Sequence, residues 1–591
     1  MSKRHIFESH EGLVNRSLKG FVAYNPSLAL IDDMRVVYDT TYDKNQVAIL
    51  SGGGSGHEPA WAGYVGKNML TASVSGDIFA SPSTKQILAG VQAVPSTKGS
   101  ILVVTNYTGD CLHFGLAAEK TNALGGAPCK MIICGDDVSI GRTKGNLVGR
   151  RGLAGQIGVL KVMGGASGAG GSLDEVYNLG VAFSQQIVSI AATLDHCHVP
   201  GRAEHATLAE DEVEIGTGPH NEPGYKKISP QPTAASLVGT ILDYCLREND
   251  PDRSYVKFNS GDEAALLVSN FGGISYLEMG AVVDELLNQL AATYKIEPTR
   301  VYFGQLETSL NAPAFSTSVI NLSQAAKNCS YSLEQIKGFL DVRTTTHWES
   351  AAGFQSTQRK RAEQIVKSAP EPEKKLDAAT DLAVEPKLLE SALRSACNAV
   401  IEREPDLTKW DTVMGDGDCG ETLKTGATSL LEALDHGLAQ KGSCVAVLHE
   451  LEDIVESKMG GTLGGILGIF FVSLTNALQA HVALSKSEGD VKRWAAAVHQ
   501  ALTNLRQYTP AAVGDRTVMD VFIPFADALQ KTGSFAAGVD EAVRAAEETK
   551  KMTPKLGRAT YVGGKDTGEL LPPDPGAWGI MEAIRGLKNG M

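Results

Sequence analysis

The 591-residue chain is predicted to fold as two domains of different class, α/β first and all-α second. Short apolar runs ending in glycine-rich or polar turns recur through the first 345 residues, the pattern of buried strands alternating with helices. From Ser368 to Pro386 the composition shifts to Ala, Pro, Glu, Lys and Asp without an apolar period, as in a linker. Beyond it, apolar residues recur at three- and four-residue spacing and strand-like runs are nearly absent. The expected boundaries are 1–345 for the α/β domain, built of two α/β subdomains, 346–386 for the linker and 387–591 for the helical domain.

In chain order, Val47–Leu50 runs into Ser51-Gly52-Gly53-Gly54, Ile101–Val104 into Thr105-Asn106-Tyr107-Thr108-Gly109-Asp110, and Met131–Cys134 into Gly135-Asp136-Asp137. Helical patterns such as Phe114–Leu124 separate them, and a mainly parallel sheet is expected, with functional loops at the carboxyl ends of its strands. Ala264–Val268 and Arg300–Phe303 read as strands of a second set, with a helix near Leu277–Tyr294 between them. In the helical domain, Lys387–Glu402, Glu421–Leu434, Val445–Val455, Asp490–Leu505 and Gly538–Glu548 read as helices.

Composition narrows the function. The formal charge of −14 argues against a general nucleic-acid binder or a binder of anionic membranes, while leaving room for a local phosphate pocket. The most apolar stretch, Gly464–Leu478, reads as too short to cross a bilayer. Nine cysteines without paired spacing read as reduced thiols, and residues 1–20 lack a signal-peptide pattern, so the cytoplasm is expected. Glycine is abundant, 63 residues, without a Gly-X-Y period, which assigns the excess to turns and close backbone approaches.

Those turns carry the chemistry. Asp411, Asp416 and Asp418 lie on a glycine-containing turn, where three carboxylates repel unless a cation neutralises them. Either a hard divalent ion such as Mg²⁺ or plain solvation satisfies such a turn, and the spacing does not fit an EF-hand. Lys458–Gly465 is a second glycine-rich turn entering a helix, suited to an anion or to a close helix contact. Arg516, in Gly514-Asp515-Arg516-Thr517, is either solvated or placed over a phosphate. Asp574-Pro575-Gly576 completes the loop set, and no P-loop or protein-kinase signature is present. In the α/β half, Ser51–Pro59 follows a strand with His57 at its lip, Asp110 closes a second strand, and His220 lies in Gly216–Glu222. Two histidines and an aspartate on such turns form a candidate nucleophile, base and orienter, whereas His113, His196 and His198 read as structural or simply exposed.

Taken together, Ser-Gly-Gly-Gly-Ser-Gly-His-Glu-Pro, Asn-Tyr-Thr-Gly-Asp, Gly-Arg-Arg-Gly-Leu at 149–153, Gly-x-Gly-x-His-x-Glu, Gly-Asp-Gly-Asp-Cys-Gly and Asp-Pro-Gly-Ala resemble the dihydroxyacetone kinase family, in its order and over nearly the whole chain. The resemblance implies a fused, ATP-dependent kinase of dihydroxyacetone, with glyceraldehyde or a related short ketose as a further substrate. It implies a substrate domain, an eight-helix barrel binding ATP and Mg²⁺, and a homodimer. By the same resemblance, His220 forms a covalent hemiaminal with the substrate carbonyl, Asp110 is the base and His57 orients the substrate. Gly54, Ser55, Gly56 and Thr105 line the substrate site. Asp411, Asp416 and Asp418 are implied Mg²⁺ ligands. Cys419, Gly420, Glu421, Thr422, Thr462, Leu463, Tyr508, Arg516, Thr517, Asp574, Pro575 and Gly576 are implied nucleotide contacts.

Four positions depart from the family pattern. Thr105 stands where the family usually has a substrate-binding Lys. Asp77 stands where a small apolar residue is usual and is expected close to the same pocket. Glu421 replaces a neutral residue, and Leu463 stands where a hydroxyl is common. Alternative functions are an FAD-splitting lyase that makes a cyclic flavin phosphate, a ketose-binding regulator without turnover, and a component phosphorylated by a phosphoprotein in place of ATP.

Overall fold

A computed structural model describes residues 5–145, 147–202, 207–349, 361–369, 374, 376–484, 489–556 and 571–591. Residues 350–360, 370–373 and 375 of the expected linker lie outside the described residues. The chain divides into two compact units, Met1–Val366 and Lys367–Met591. Trp348 is buried in the first unit, donating its indole N–H to Leu340 O at 3.1 Å. Leu382 is buried in the core of the second, where Val384 N donates to Gly442 O.

The first unit holds two six-stranded sheets. The first comprises β1 (Leu28–Ile31), β2 (Val36–Asp39), β3 (Ala48–Ser55), β4 (Ala72–Ile78), β5 (Ser100–Thr105) and β6 (Cys129–Cys134), in the order β1-β2-β4-β3-β5-β6. From β4 to β6 it is parallel, as the pattern of apolar runs predicted. The second comprises β7 (Ile187–Thr193), β8 (Val213–Ile215), β9 (Lys226–Ile228), β10 (Ala264–Asn270), β11 (Arg300–Gly304) and β12 (Ala314–Asn321), in the order β11-β10-β12-β7-β8-β9. Here the mainly parallel expectation is corrected: among the described strands β10–β11 is the one parallel pairing, and the others are antiparallel. The reason is visible in β12, Ala-Phe-Ser-Thr-Ser-Val-Ile-Asn, whose hydroxyls hide a strand buried at every position.

Between the sheets runs the helix Gly155–Gly168, buried from Gly155 to Ser167. Its core joins Ile49, Ile101 and Val103 of the first sheet to Ile187, Leu267 and Ile320 of the second. Its glycines let backbone meet backbone: a Cβ at Gly164 would lie 2.4 Å from Met69 Cα. The outer face of each sheet is covered by its own apolar cluster, one with Leu50, Val74 and Phe114, the other with Val188, Leu266 and Leu286.

The second unit has eight α-helices among its described residues: Pro386–Met414, Cys419–Asp435, Cys444–Lys458, Gly461–Leu484, Asp490–Leu505, Met519–Thr532, Phe535–Glu548 and Pro575–Gly590. Each packs on the next in sequence, and the last returns to the first, which closes a barrel. Gly464–Leu478 belongs to a helix of 24 residues. The expectation that this stretch is too short to cross a membrane is therefore corrected: Gly461–Ala483 is long and apolar enough by length and composition. Its Leu467, Phe470, Leu474 and Leu478 pack in the barrel core.

Candidate functional site

The carboxyl end of β3 turns sharply at Gly56, whose φ of +100° suits a residue without a Cβ. That turn delivers His57, 3% exposed, to the side of His220. The two Nε2 atoms are 3.0 Å apart and the rings meet edge-on at 4.8 Å between centroids. Phe79 and Tyr107 complete the aromatic wall, with centroids 5.0 and 4.7 Å from that of His220.

Hydrogen bonds at the far nitrogens orient both rings. His57 Nδ1 lies 2.8 Å from Thr308 O, an acceptor, so Nδ1 carries the proton and Nε2 keeps a lone pair. Burial, joined by the facing His220, pushes His57 down to about 3, so it is neutral in ordinary conditions. His220 Nδ1 lies 3.2 Å from Glu222 Oε1, and Glu222 Oε2 accepts from His220 N at 2.8 Å. Burial alone would raise the Glu222 carboxyl. The bond to His220 and the charge of Arg151 outweigh it and bring Glu222 down to about 2. In the free site the lone pair of His57 Nε2 accepts from His220 Nε2 at 3.0 Å, and the tautomer with the His220 proton on Nδ1, toward the anionic Glu222, frees Nε2 as the nucleophilic nitrogen.

One loop of the second sheet latches both histidines. Between β11 and β12, Thr308 N donates to His57 O at 3.1 Å and Leu310 N to Gly56 O at 2.8 Å. Ser309 Oγ donates to Pro219 O at 2.6 Å. Arg151 of the Gly-Arg-Arg-Gly-Leu motif holds the same His220 turn, donating to Gly216 O at 2.8 Å while paired with buried Asp137 at 2.6 Å. Asn221, at φ +62°, bonds Cys197 through both ends of its amide. Sequence reasoning gave no role to Thr308, Ser309 or Glu222. Glu222 stood inside a quoted motif, whereas residues 307–310 offered only a polar run between two strands.

Asp110 sits in the first turn of the helix Thr108–Ala123. Burial raises its carboxyl, opposed mainly by a hydrogen bond from Ser81, and Oδ1 has no protein partner. Gly54 and Gly56 back onto the 79–80 turn, where a Cβ would lie 2.8 Å from Ala80 N and 2.7 Å from the Phe79 ring respectively. Ser55 Oγ bonds Gly76 O, and it is Gly53 whose missing Cβ faces the Asp110 carboxylate, at 3.7 Å. Thr105 is buried and accepts from Gln156 Nε2 at 2.9 Å. Asp77 corrects an expectation: its side chain is 70% exposed and paired with Arg35 at 2.6 Å, turned out of the pocket by strand alternation.

In the helical unit, ligand oxygens of Asp411, Asp416 and Asp418 lie within 4.8 Å of one another. Asp411 Oδ2 accepts from Cys419 N at 3.1 Å, which ties the acidic turn to the start of the next helix. Asp574, the cap of the helix Pro575–Gly590, is raised to about 6 by burial and by the nearby acids Asp520 and Asp411, against the pull of Arg516. Burial and the neighbouring Asp411, Asp574 and Asp418 likewise raise the Cys419 thiol. Arg516 is 3% exposed, bonds Pro572 O at 2.8 Å and leaves Nε without a protein partner, so it is a buried cation beside Asp574. Asp520 fixes its loop by accepting from Gly514 N and Thr517 N. Gly420 and Thr422 lie on the first turn of the helix Cys419–Asp435, together with the exposed Glu421. Tyr508, Gly464 and Gly465 line a cavity of about 730 Å³ with Met459 and Asn504. Thr462 and Leu463 lie at the start of the adjoining helix, where Leu463 packs on the core.

Two family models match the chain, the Dak1 domain over residues 19–339 and the DAK2 domain over residues 413–589. A dihydroxyacetone kinase of Pichia angusta is 40% identical over 99% of this chain and 98% of its own length. A triokinase/FMN cyclase of Homo sapiens is 33% identical over 99% of each. The crystal structure of the dihydroxyacetone kinase from C. freundii in complex with AMP-PNP and Mg²⁺ is 28% identical, with a TM-score of 0.62 and full coverage of both chains. The motifs, the paired α/β and helical-barrel units and these matches agree: the chain belongs to the dihydroxyacetone kinase family and is a kinase.

Proposed function

We propose that the protein, a cytoplasmic homodimer, transfers the terminal phosphoryl group of ATP to a hydroxyl of dihydroxyacetone or a related triose held covalently on His220. The single observation that carries this reading is the geometry of the histidine pair: each ring is held at Nδ1 by an acceptor, Thr308 O or Glu222, so that both Nε2 atoms face one small space. His220 Nε2 bonds the carbonyl carbon and the π pair moves onto oxygen. The Nδ1 proton leaves toward Glu222 and, in the balance, one proton ends on the new hydroxyl, giving a neutral hemiaminal. His57 Nε2 accepts from a substrate hydroxyl. A polyol such as glycerol has no carbonyl and cannot be captured, which is selection by chemistry rather than by size.

The Asp110 carboxyl, raised by burial, is a stronger base than an exposed carboxylate and takes the proton of the attacking hydroxyl as phosphorus–oxygen bonding changes hands. The three converging carboxylates Asp411, Asp416 and Asp418 suit a hard divalent ion. Magnesium bound there would offset the charge of the polyphosphate and of the transferring phosphoryl group. Arg516 adds a buried positive charge beside Asp574, and the cavity along Gly464, Gly465 and Tyr508, of mixed polar and apolar lining, offers a space for the nucleotide base. Nine free cysteines support a reducing compartment.

The test is ADP release from Mg-ATP with dihydroxyacetone, glyceraldehyde, erythrulose and glycerol. Carbonyl substrates are expected to turn over and glycerol not. Asp110→Asn is expected to lower kcat by about 10²–10⁴-fold, the usual range for loss of a general base, and His220→Ala to abolish turnover. Turnover of glycerol, or an active His220→Ala variant, would refute the covalent reading. Light scattering tests the dimer. The name of the human relative supports a second activity at the metal site. Appearance of cyclic FMN from FAD and a divalent ion would establish it, and its absence leaves the kinase alone.

A further inference from the structure

Around Asp110 and the carboxyl ends of β3 and β5 lie polar atoms, on side chains more than nine-tenths buried, that no protein group bonds. Trp61 and Gln156 are 3% and 1% exposed, and neither Trp61 Nε1 nor Gln156 Oε1 has a partner. Both border one place. β3 and β5 are adjacent parallel strands with Gly52 opposite Val104, so Gly53 and Thr105 follow as neighbours at their carboxyl ends. Strand alternation puts them on the face of Ile49, Ile101 and Val103, the face that meets the helix Gly155–Gly168. A Cβ at Gly53 would lie 3.1 Å from Trp61 Nε1 and 3.7 Å from Asp110 Oδ1. From the helix, Gln156 Nε2 donates to Thr105 Oγ1 at 2.9 Å, and the amide oxygen is the atom without a partner. The result is one donor and one acceptor beside the base, neither charged, in a site with no lysine at position 105.

We infer that Trp61 and Gln156 are specificity-determining residues that read the substrate hydroxyl which does not receive the phosphoryl group. That hydroxyl accepts from the indole N–H and donates to the amide oxygen. The inference rests on the proposed ketose kinase activity and goes beyond it by assigning the second hydroxyl. A site built to bond a hydroxyl penalises an analogue without it, because the buried donor and acceptor then stay unpaired in the complex.

Dihydroxyacetone and hydroxyacetone separate this role from the others. Both offer a ketone to His220 and one hydroxyl to Asp110; only the first has the second hydroxyl. In the full-length wild type, kcat/KM for dihydroxyacetone is expected to exceed that for hydroxyacetone by about 100-fold or more. In Trp61→Phe and in Gln156→Leu the ratio is expected to fall at least about tenfold, because dihydroxyacetone turnover drops further than hydroxyacetone turnover. A structural lesion would lower both substrates together, so hydroxyacetone is the internal control for folding. The ratio of dissociation constants for the two ketones, measured without ATP, reads the same contacts independently of catalysis. If ADP forms and both variants keep the wild-type ratio, this inference fails and the kinase reading stands. If the binding ratio responds to the variants but no ADP forms, the inference holds and the kinase reading fails.

Discussion

Two opposing influences set the basicity of Asp110. Burial disfavours its charged form and raises the carboxyl, while the hydrogen bond from Ser81 favours the carboxylate and holds it down. A base must be unprotonated to act, so competence appears as pH rises through the folded-state value, which lies above that of an ordinary aspartate. Removing the hydroxyl removes the main opposing bond. The acid limb of kcat/KM is therefore expected to move to higher pH in Ser81→Ala, with the alkaline plateau little changed. A pH–rate profile of both proteins decides it, and coincident acid limbs would show that Asp110 does not govern that limb. His57 contributes no such limb: pushed down to about 3, it stays neutral throughout the range in which the protein is assayed.

At the scale of elements, the histidine site is built where two sheets meet. His57 comes from the first sheet and His220 from a turn after β8, and the 307–310 loop of the second sheet bonds His57 and, at Pro219 O, the turn that carries His220. Ser309→Ala breaks the bond to Pro219 O and leaves that acceptor unpaired, at a cost of about 1–3 kcal/mol of stability. Because that bond tethers the His220 turn, KM for the ketone is expected to rise several-fold while KM for ATP holds. Steady-state kinetics with each substrate varied in turn checks the split, and equal changes in both constants would point to a general loss of folding. The same loop shows what a single sequence can disclose. His57, Asp110 and His220 stood out because reactive side chains sat on glycine-rich turns after apolar runs. Ser309 did not, since its work is a bond to a backbone oxygen 90 positions away in sequence. No sequence motif singled out Trp61 or Gln156, and only the sheet pairing reveals that they border one place. β12 was missed for a related reason: its serines and threonines bond or pack within a buried sheet, so polarity did not mean exposure.

At the scale of the molecule, the chain is two units with separate cores, each carrying one of the two candidate sites. The helical periodicity and the Asp-rich turn made the second unit legible, since an up-and-down barrel places sequential helices side by side. Its closing contact, first helix against last, was not legible in the periodicity and was implied only by the resemblance to a family with an eight-helix barrel. Separate cores allow the two ligand sites to be read by stability. A ligand that binds only the folded form stabilises it by about 2.7 kcal/mol at a concentration 100-fold above its Kd. Dihydroxyacetone is expected to raise the unfolding transition of the α/β unit, and His220→Ala to abolish that shift. Magnesium with a non-hydrolysable ATP analogue is expected to raise the transition of the helical unit instead. Asp416→Asn and Asp418→Asn should cancel the second shift without touching the first, because both carboxylates are exposed and removing a charge from a repelling trio costs the fold little. Differential scanning calorimetry of the wild type and the variants, with each ligand alone, provides the comparison. If magnesium and nucleotide still stabilise the doubly substituted protein as they do the wild type, the acidic turn is not where the metal is held.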